Sequence, residues 1–225
     1  MPPFWKDNGA IQEQPAHRRA RMVEEQLLRR GIRDERLLAA MGEVPRERFI
    51  AAEFQAEAYA DGPLPIGSGQ TISQPLMVAT MIEALHVQPT ERVLEVGTGT
   101  GYEAAILGEL ASEVWTVERH PELADKARSV LVELGYSNIH VVLGDGSRGL
   151  PNAAPFDKIL VAAGAPCVPP SLIPQLADGG SMAVPVGSRV EQELQVVRKI
   201  RGEVVTSRYG RCCFVPLLGA EGWEP

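Results

Sequence analysis

Between Arg92 and Leu107 the sequence RVLEVGTGTGYEAAIL sets Glu95, Gly97, Gly99 and Gly101 at every second position. Glycine is entropically costly in a regular element, so this spacing marks a loop whose backbone has to be bare. The apolar run before it and the helical pattern after it read as strand, glycine loop and helix N-terminus, a unit that presents unpaired N–H groups. The residues around the loop narrow its ligand. A dinucleotide-binding loop needs Gly-x-Gly-x-x-Gly/Ala, and counting from Gly97 the sixth place is Tyr102. No lysine follows the glycines, which excludes a P-loop. Glu95, inside the strand, would repel a pyrophosphate and suits a ligand with an ammonium group and no phosphate.

Two further carboxylates extend the pattern. Glu118 closes the next strand, about twenty residues beyond the glycines, where a carboxylate can accept from both hydroxyls of a ribose. Asp145, in GDG after the following strand, is placed to accept from an adenine amino group. Taken singly, each acid reads as a surface residue at a strand end. Together they lie at the C-terminal ends of consecutive parallel strands, the edge where open α/β sheets bind ligands. An ammonium group and an adenosine without phosphate describe S-adenosyl-L-methionine. Glu95, Gly97, Thr98, Gly99, Gly101, Glu118 and Asp145 are its candidate contacts.

Such a site needs a sheet to carry it. From Arg92 onward RVLEV, EVWTVE, IHVVLGD and FDKILVAA read as strands, separated by helical patterns at 101–111 and 121–135. This alternation predicts a parallel sheet with helices on both faces. SMAVPVG, ELQVVRKI and EVVTSRYG follow with no long helix between the last two, so the sheet should end antiparallel. Upstream, His17 to Arg30 has helical spacing and stops at Gly31, and Asp34 is placed to cap a second helix. Residues 59–73 are rich in Gly, Pro and hydroxyl groups and read as a loop, after which Pro75 opens a third helix. The expectation is one α/β domain: a Rossmann-like, mostly parallel twisted sheet over 92–225, a helical segment over 17–91, and a loosely packed tail over 1–16.

Composition sets limits on partners. The chain has 225 residues, 44% hydrophobic and 23% charged, enough apolar material for a real core. A net charge of −7 and 5% aromatics argue against a nucleic-acid partner. Cys167, Cys212 and Cys213 form neither a CxxC pair nor an even disulfide set, which suits a reducing cytoplasm. No segment approaches a signal peptide or a membrane span. His17, His86, His120 and His140 form no evident site, and no metal is expected. A monomer is the simplest expectation.

The acceptor of the methyl group is not written in these acids. The stretch before the cofactor unit, GSGQTISQPLMVATM, carries hydroxyls that either cap the Pro75 helix or serve the reaction, and spacing alone leaves both open. At this point QTISQPLMVA, VLEVGTGTGYEAA, VERHPELADKAR, GDGSRGLP, APFDKILVAAGAP, LADGGSMAVPVG and FVPL, in this order over about residues 17–219, resemble the protein-L-isoaspartate (D-aspartate) O-methyltransferase family. The glycine loop is common to many methyltransferases; TIS-x-P upstream combined with FVPL downstream is the specific part. The resemblance implies a methyltransferase sheet with a rearranged final strand pair. It also implies a cytoplasmic repair activity on isoaspartyl residues of damaged proteins and peptides.

By position, the resemblance makes Ser73 the active-site hydroxyl and a contact of the donor as well. Gln70, Thr71 and Ile72 become the loop lining the donor and substrate pocket, and Glu118, Arg119, Asp145 and Gly146 the cofactor contacts. Ile72, Ser73 and Val215 would meet the substrate, Val215 by holding its backbone. Leu76 departs from members with an aromatic or histidine there, which leaves preference around the isoaspartate open. The chemistry agrees with the residues. A carboxylate acceptor, with an unperturbed pKa near 4, is already the nucleophile at neutral pH and needs no general base. The Pro-rich stretch 162–176 is expected as one wall of the site, with Cys167 a packing thiol. Two alternatives stand beside this reading: a methyltransferase of another acceptor, and a module that recognises isoaspartyl chains without turnover.

Overall fold

The computed structural model describes residues 14–224. Of the tail expected over 1–16, positions 1–13 lie outside the described residues, while Pro15 already opens helix α1 (Pro15–Arg21). The helical run widens over Met22–Leu27, tightens over Leu28–Arg30 and stops at Gly31. Helix α2 (Glu35–Glu43) is capped as its sequence predicts: the Asp34 carboxylate accepts from the N–H groups of Arg36 and Leu37 at 2.9 and 3.1 Å. Helix α3 (Pro75–Leu85) starts at its proline.

Residues 59–73 are not wholly a loop. They contain an antiparallel hairpin of β1 (Leu64–Gly67) and β2 (Gln70–Ile72). Strands of four and three residues are too short to show a period of two among turn residues. Their connection is unusually bent, with Gly67, Ser68 and Gly69 all at positive φ.

The main sheet comprises β3 (Arg92–Val96), β4 (Glu113–Glu118), β5 (Ile139–Leu143), β6 (Phe156–Val161), β7 (Leu176–Gly187), β8 (Gln192–Ile200) and β9 (Glu203–Cys212). Its spatial order is β5-β4-β3-β6-β7-β8-β9. The first five pair in parallel, and β7-β8 and β8-β9 are antiparallel, as the missing helices between the last strands require. Helices α4 (Tyr102–Leu110) and α5 (Pro121–Glu133) connect the early strands, and the short α6 (Leu172–Gln175) precedes β7.

Alternation along β3 sorts the core into two faces. Val93 packs with Ile106, Leu107 and the N-terminal helices, while Leu94 and Val96 pack with Phe156, Ile159, Leu172 and Leu176. Glu95 therefore points to the face that α4 covers. The chain moves from β3 outward to β5 and then returns to β6 on the other side of β3, so a crevice opens at the C-terminal ends of β3, β4 and β6. No helix among the described residues is long and apolar enough to cross a membrane.

Candidate active site

Gly97, Gly99 and Gly101 have φ of +100°, +55° and +88°, values that side chains rarely tolerate, and this is the physical reason for their spacing. The loop is then tied down by its own N–H groups. Gly97 donates to the Val117 carbonyl at 2.9 Å, and Gly99 donates to Glu118 Oε2 at 2.9 Å. Glu118 Oε1 accepts from the N–H groups of Arg119 and His120, both at 2.9 Å. One buried carboxylate thus laces the glycine loop to the end of β4.

The crevice has two lobes. Gln70, Gly97, Gly99, Glu118, Arg119 and Gly146 line the larger one, with Val215 on its far wall. Gly146 is needed there because a Cβ would lie 2.6 Å from Val96 Cγ1. Ile72, Ser73, Thr98, Thr100, Tyr102 and Glu103 line the smaller lobe. Thr71, Gly97, Gly99 and Ala162 border both, so the lobes meet where the β1–β2 hairpin lies over the glycine loop. Ser73 is not the cap of α3. Gln74 holds that position, and its side chain makes no capping bond.

Three candidate contacts lie away from the cavity walls. Gly101 heads α4 and packs against α5; a Cβ on it would lie 3.3 Å from both Ala127 and Leu131. Glu95 is completely buried beneath the loop. Its Oε2 accepts from the Thr116 hydroxyl, which in turn lies 2.6 Å from that of Thr98. Asp145 sits on the rim beside Leu218 and Gly219. Its Oδ1 accepts from the Ser147 N–H and hydroxyl at 3.0 and 2.7 Å, and its Oδ2 from the Ala220 N–H at 2.8 Å. Partial burial alone would raise this carboxyl, but those hydrogen bonds outweigh it and hold the pKa below the usual value.

The segment after β9 is strapped across the same edge. Val215 accepts from the Gly164 N–H and Leu217 donates to the Gly164 carbonyl, both at 2.8 Å. Phe214 N–H is held by Gln192 Oε1 at 2.7 Å, so FVPL runs beside the end of β6. Of the Pro-rich stretch 162–176, Ala162 and Ala163 reach the larger lobe, and Cys167 is exposed.

Several residues at the site carried no signal in the sequence. Ile66, from β1, borders the larger lobe. A charge on the first turn of a helix ordinarily faces water, yet Glu103, on the first turn of α4, is buried and lines the smaller lobe. Burial raises its pKa to about 8. Burial and then the nearby Glu103 charge push Glu95 well above the ordinary carboxylate range. The Oε1 atoms of Glu95 and Glu103 are both buried without a hydrogen-bond partner among the described residues. Two acid oxygens under a glycine loop, with no cation among the described residues paired to them, fit a ligand that brings its own ammonium group.

The sequence profile of the protein-L-isoaspartate(D-aspartate) O-methyltransferase family matches residues 17–222. A protein-L-isoaspartate O-methyltransferase of Koribacter versatilis is 58% identical over 207 residues, 92% of this chain and 93% of its own length. One from Pelotomaculum thermopropionicum is 54% identical, over 93% of this chain and 92% of its own. A solved protein-L-isoaspartate O-methyltransferase superposes with a TM-score of 0.82 at 30% identity, covering 91% of this chain and 67% of its own. A Plasmodium falciparum structure, described as a complex with S-adenosyl-L-homocysteine, gives a TM-score of 0.79 at 26% identity over 89% of this chain and 98% of its own.

Proposed function

Because the chain belongs to the protein-L-isoaspartate(D-aspartate) O-methyltransferase family, it methylates isoaspartyl carboxylates in damaged proteins with S-adenosyl-L-methionine as donor, and we propose a division of labour among its residues. When bound, the donor supplies an electrophilic methyl group on a sulfonium. The larger lobe holds its nucleoside: Glu118 accepts from the ribose, Gly146 lets the base approach, and Arg119 covers it. Asp145 anchors the strap at Ala220 and turns a remaining lone pair toward the adenine amino group. Gly97, Thr98 and Gly99 form the floor, and the acids beneath them receive the amino-acid end.

The amino-acid end of the donor enters the smaller lobe at Thr98 and Glu103, and the acceptor meets it there beside Ser73. Ser73 donates a hydrogen bond that aims the acceptor oxygen, Ile72 and Thr71 border it, and Val215 holds the substrate backbone. The N-terminus of α3 favours the carboxylate electrostatically. The acceptor is already ionised, so what the protein adds is alignment and exclusion of water. The ester product carries a better leaving group than a carboxylate. The neighbouring backbone nitrogen can then close a succinimide, and hydrolysis of that ring returns some normal aspartate.

The observation that carries this reading is the junction of the two lobes at Thr71, Gly97 and Gly99, which sets Ser73 beside the glycine loop. Release of labelled methanol after methyl transfer to an isoaspartyl peptide, with the matched aspartyl peptide as control, tests it. Equal labelling of both peptides would argue for another acceptor, and binding without any labelling for a recognition module.

A further inference from the structure

Arg46 belongs to none of the motifs that point to the site, yet it is a fully buried cation that reaches the acceptor loop. It opens the tight turn Arg46–Phe49 and has 0% exposure. Its Nε donates to the Ala58 carbonyl at 2.8 Å and its Nη2 to the Ser73 carbonyl at 2.9 Å. The guanidinium lies over the Tyr102 ring, 4.7 Å from its centroid, and Phe49 meets the same ring edge-on at 5.7 Å. Arg46 pairs with no carboxylate among the described residues. Its Nη1 and the Tyr102 hydroxyl are both buried without a hydrogen-bond partner in range among the described residues.

A buried charge without a counter-ion is a poor way to stabilise a fold. A hydrophobic residue of similar volume would serve packing better. What arginine supplies is a rigid fork of donors that can hold two separate carbonyls at once. One of these carbonyls belongs to Ser73, and Tyr102, on which the fork rests, lines the same lobe as Ser73.

We infer that Arg46 is the positioning residue of the acceptor site: gripping the Ser73 carbonyl from behind, it fixes the backbone from which the Ser73 hydroxyl is aimed. The inference rests on Ser73 acting as proposed above. Arg46 touches neither substrate nor donor and works through Ser73. It leaves the donor lobe alone, because Glu118 and the glycine loop are tied to β4 by separate bonds.

The test is a double-variant cycle with Arg46→Lys, Ser73→Ala and both together, measuring kcat/KM on an isoaspartyl peptide, donor affinity by calorimetry and Tm. Arg46→Lys keeps the charge and stem but loses the fork. It should lower kcat/KM about ten- to a hundredfold, since small misplacements of reacting groups cost that much, with donor affinity within about twofold. In the Ser73→Ala background the same change should lower kcat/KM by less than about threefold, because the hydroxyl being aimed is already gone. Full multiplication of the two losses, or a lowered Tm with normal kcat/KM, overturns the inference and leaves Arg46 a structural residue. If Arg46→Lys fails to fold, Arg46→Met, which removes the buried charge and keeps the volume, carries the same cycle. Wild-type protein runs in parallel. Absence of methyl transfer from it would overturn the proposed function and this inference together, whereas normal wild-type turnover with an additive cycle overturns only the inference.

Discussion

Gly99 and Ser73 both line the smaller lobe, and they are held in different ways. Gly99 is fixed by its own N–H, which donates to a carboxylate at the end of the neighbouring strand, and that carboxylate is itself held by two more backbone N–H groups. Ser73 lies between a short hairpin and α3, and its carbonyl is gripped by a side chain 27 residues away. The half proposed to hold the donor is therefore part of the sheet, and disturbing it disturbs β4. The half proposed to aim the acceptor is an attached loop, and its geometry can change while the sheet stands. Defects in the two halves should separate cleanly in binding and turnover.

The largest expected effect concerns the acceptor half alone. In isoaspartate the free carboxylate sits on the α-carbon while the chain continues through the side-chain carbon. A site that aims one oxygen should prefer this branch over normal aspartate by several orders of magnitude, on the order of 10³ or more in kcat/KM, because misplacing the oxygen forfeits alignment. Paired peptides differing only in linkage measure this, and comparable rates would falsify the assignment of the smaller lobe.

Glu118→Ala comes next and belongs to the donor half. It removes a charged acceptor from the ligand, worth about 1.5–3 kcal/mol, and strands the N–H groups of Gly99, Arg119 and His120. Calorimetry should show donor affinity weakened by roughly ten- to a hundredfold, and Tm should fall as well. Unchanged donor affinity would mean that the ribose lies elsewhere.

Ser73→Ala should lower kcat by a similar or smaller factor, about tenfold to a hundredfold, for the loss of one charge-assisted hydrogen bond. Its Tm should be nearly unaffected, since Ser73 does not cap α3. A lowered Tm with normal kcat would return Ser73 to a structural role.

A separate effect, on stability and not on turnover, lies in the acids under the loop. Glu103 has a pKa of about 8 in the folded protein, raised by burial from 4.5. A raised carboxyl means that the folded state holds a proton that the unfolded state has already released, so stability falls as pH rises from the unfolded pKa toward the folded one. Between those limits the slope for one such group is at most about 1.4 kcal/mol per pH unit. Denaturant unfolding at several pH values should show this decline in the wild type and a flatter profile in Glu103→Gln. Equal slopes would mean that Glu103 holds no extra proton.

How much of this was legible in the sequence follows the same division. The glycines could be read because positive φ leaves glycine little competition, and Glu118 because strand ends fall at regular intervals along an alternating pattern. The antiparallel end of the sheet was visible in the missing helix between ELQVVRKI and EVVTSRYG. The hairpin at 64–72 was hidden because its strands are short and its turn residues dominate the composition. Glu103 was hidden because a charge in the first turn of a helix ordinarily faces water and favours the dipole. Arg46 left no trace because it acts on main-chain carbonyls, which every residue carries. The place of Asp145 after its strand could be read from the pattern, but its bonds to Ser147 and Ala220, which tie the C-terminal strap, depend on contacts up to 75 residues away.

The central claim, that donor and acceptor are held by separable halves of one cleft, is tested most directly by the S-adenosyl-L-methionine affinity of Ser73→Ala. The dissociation constant should stay within about twofold of the wild type, alongside the fall in kcat, because Glu118 and the glycine loop do not depend on that hydroxyl. A loss of donor affinity as large as that of Glu118→Ala would contradict it and make the two lobes a single binding unit.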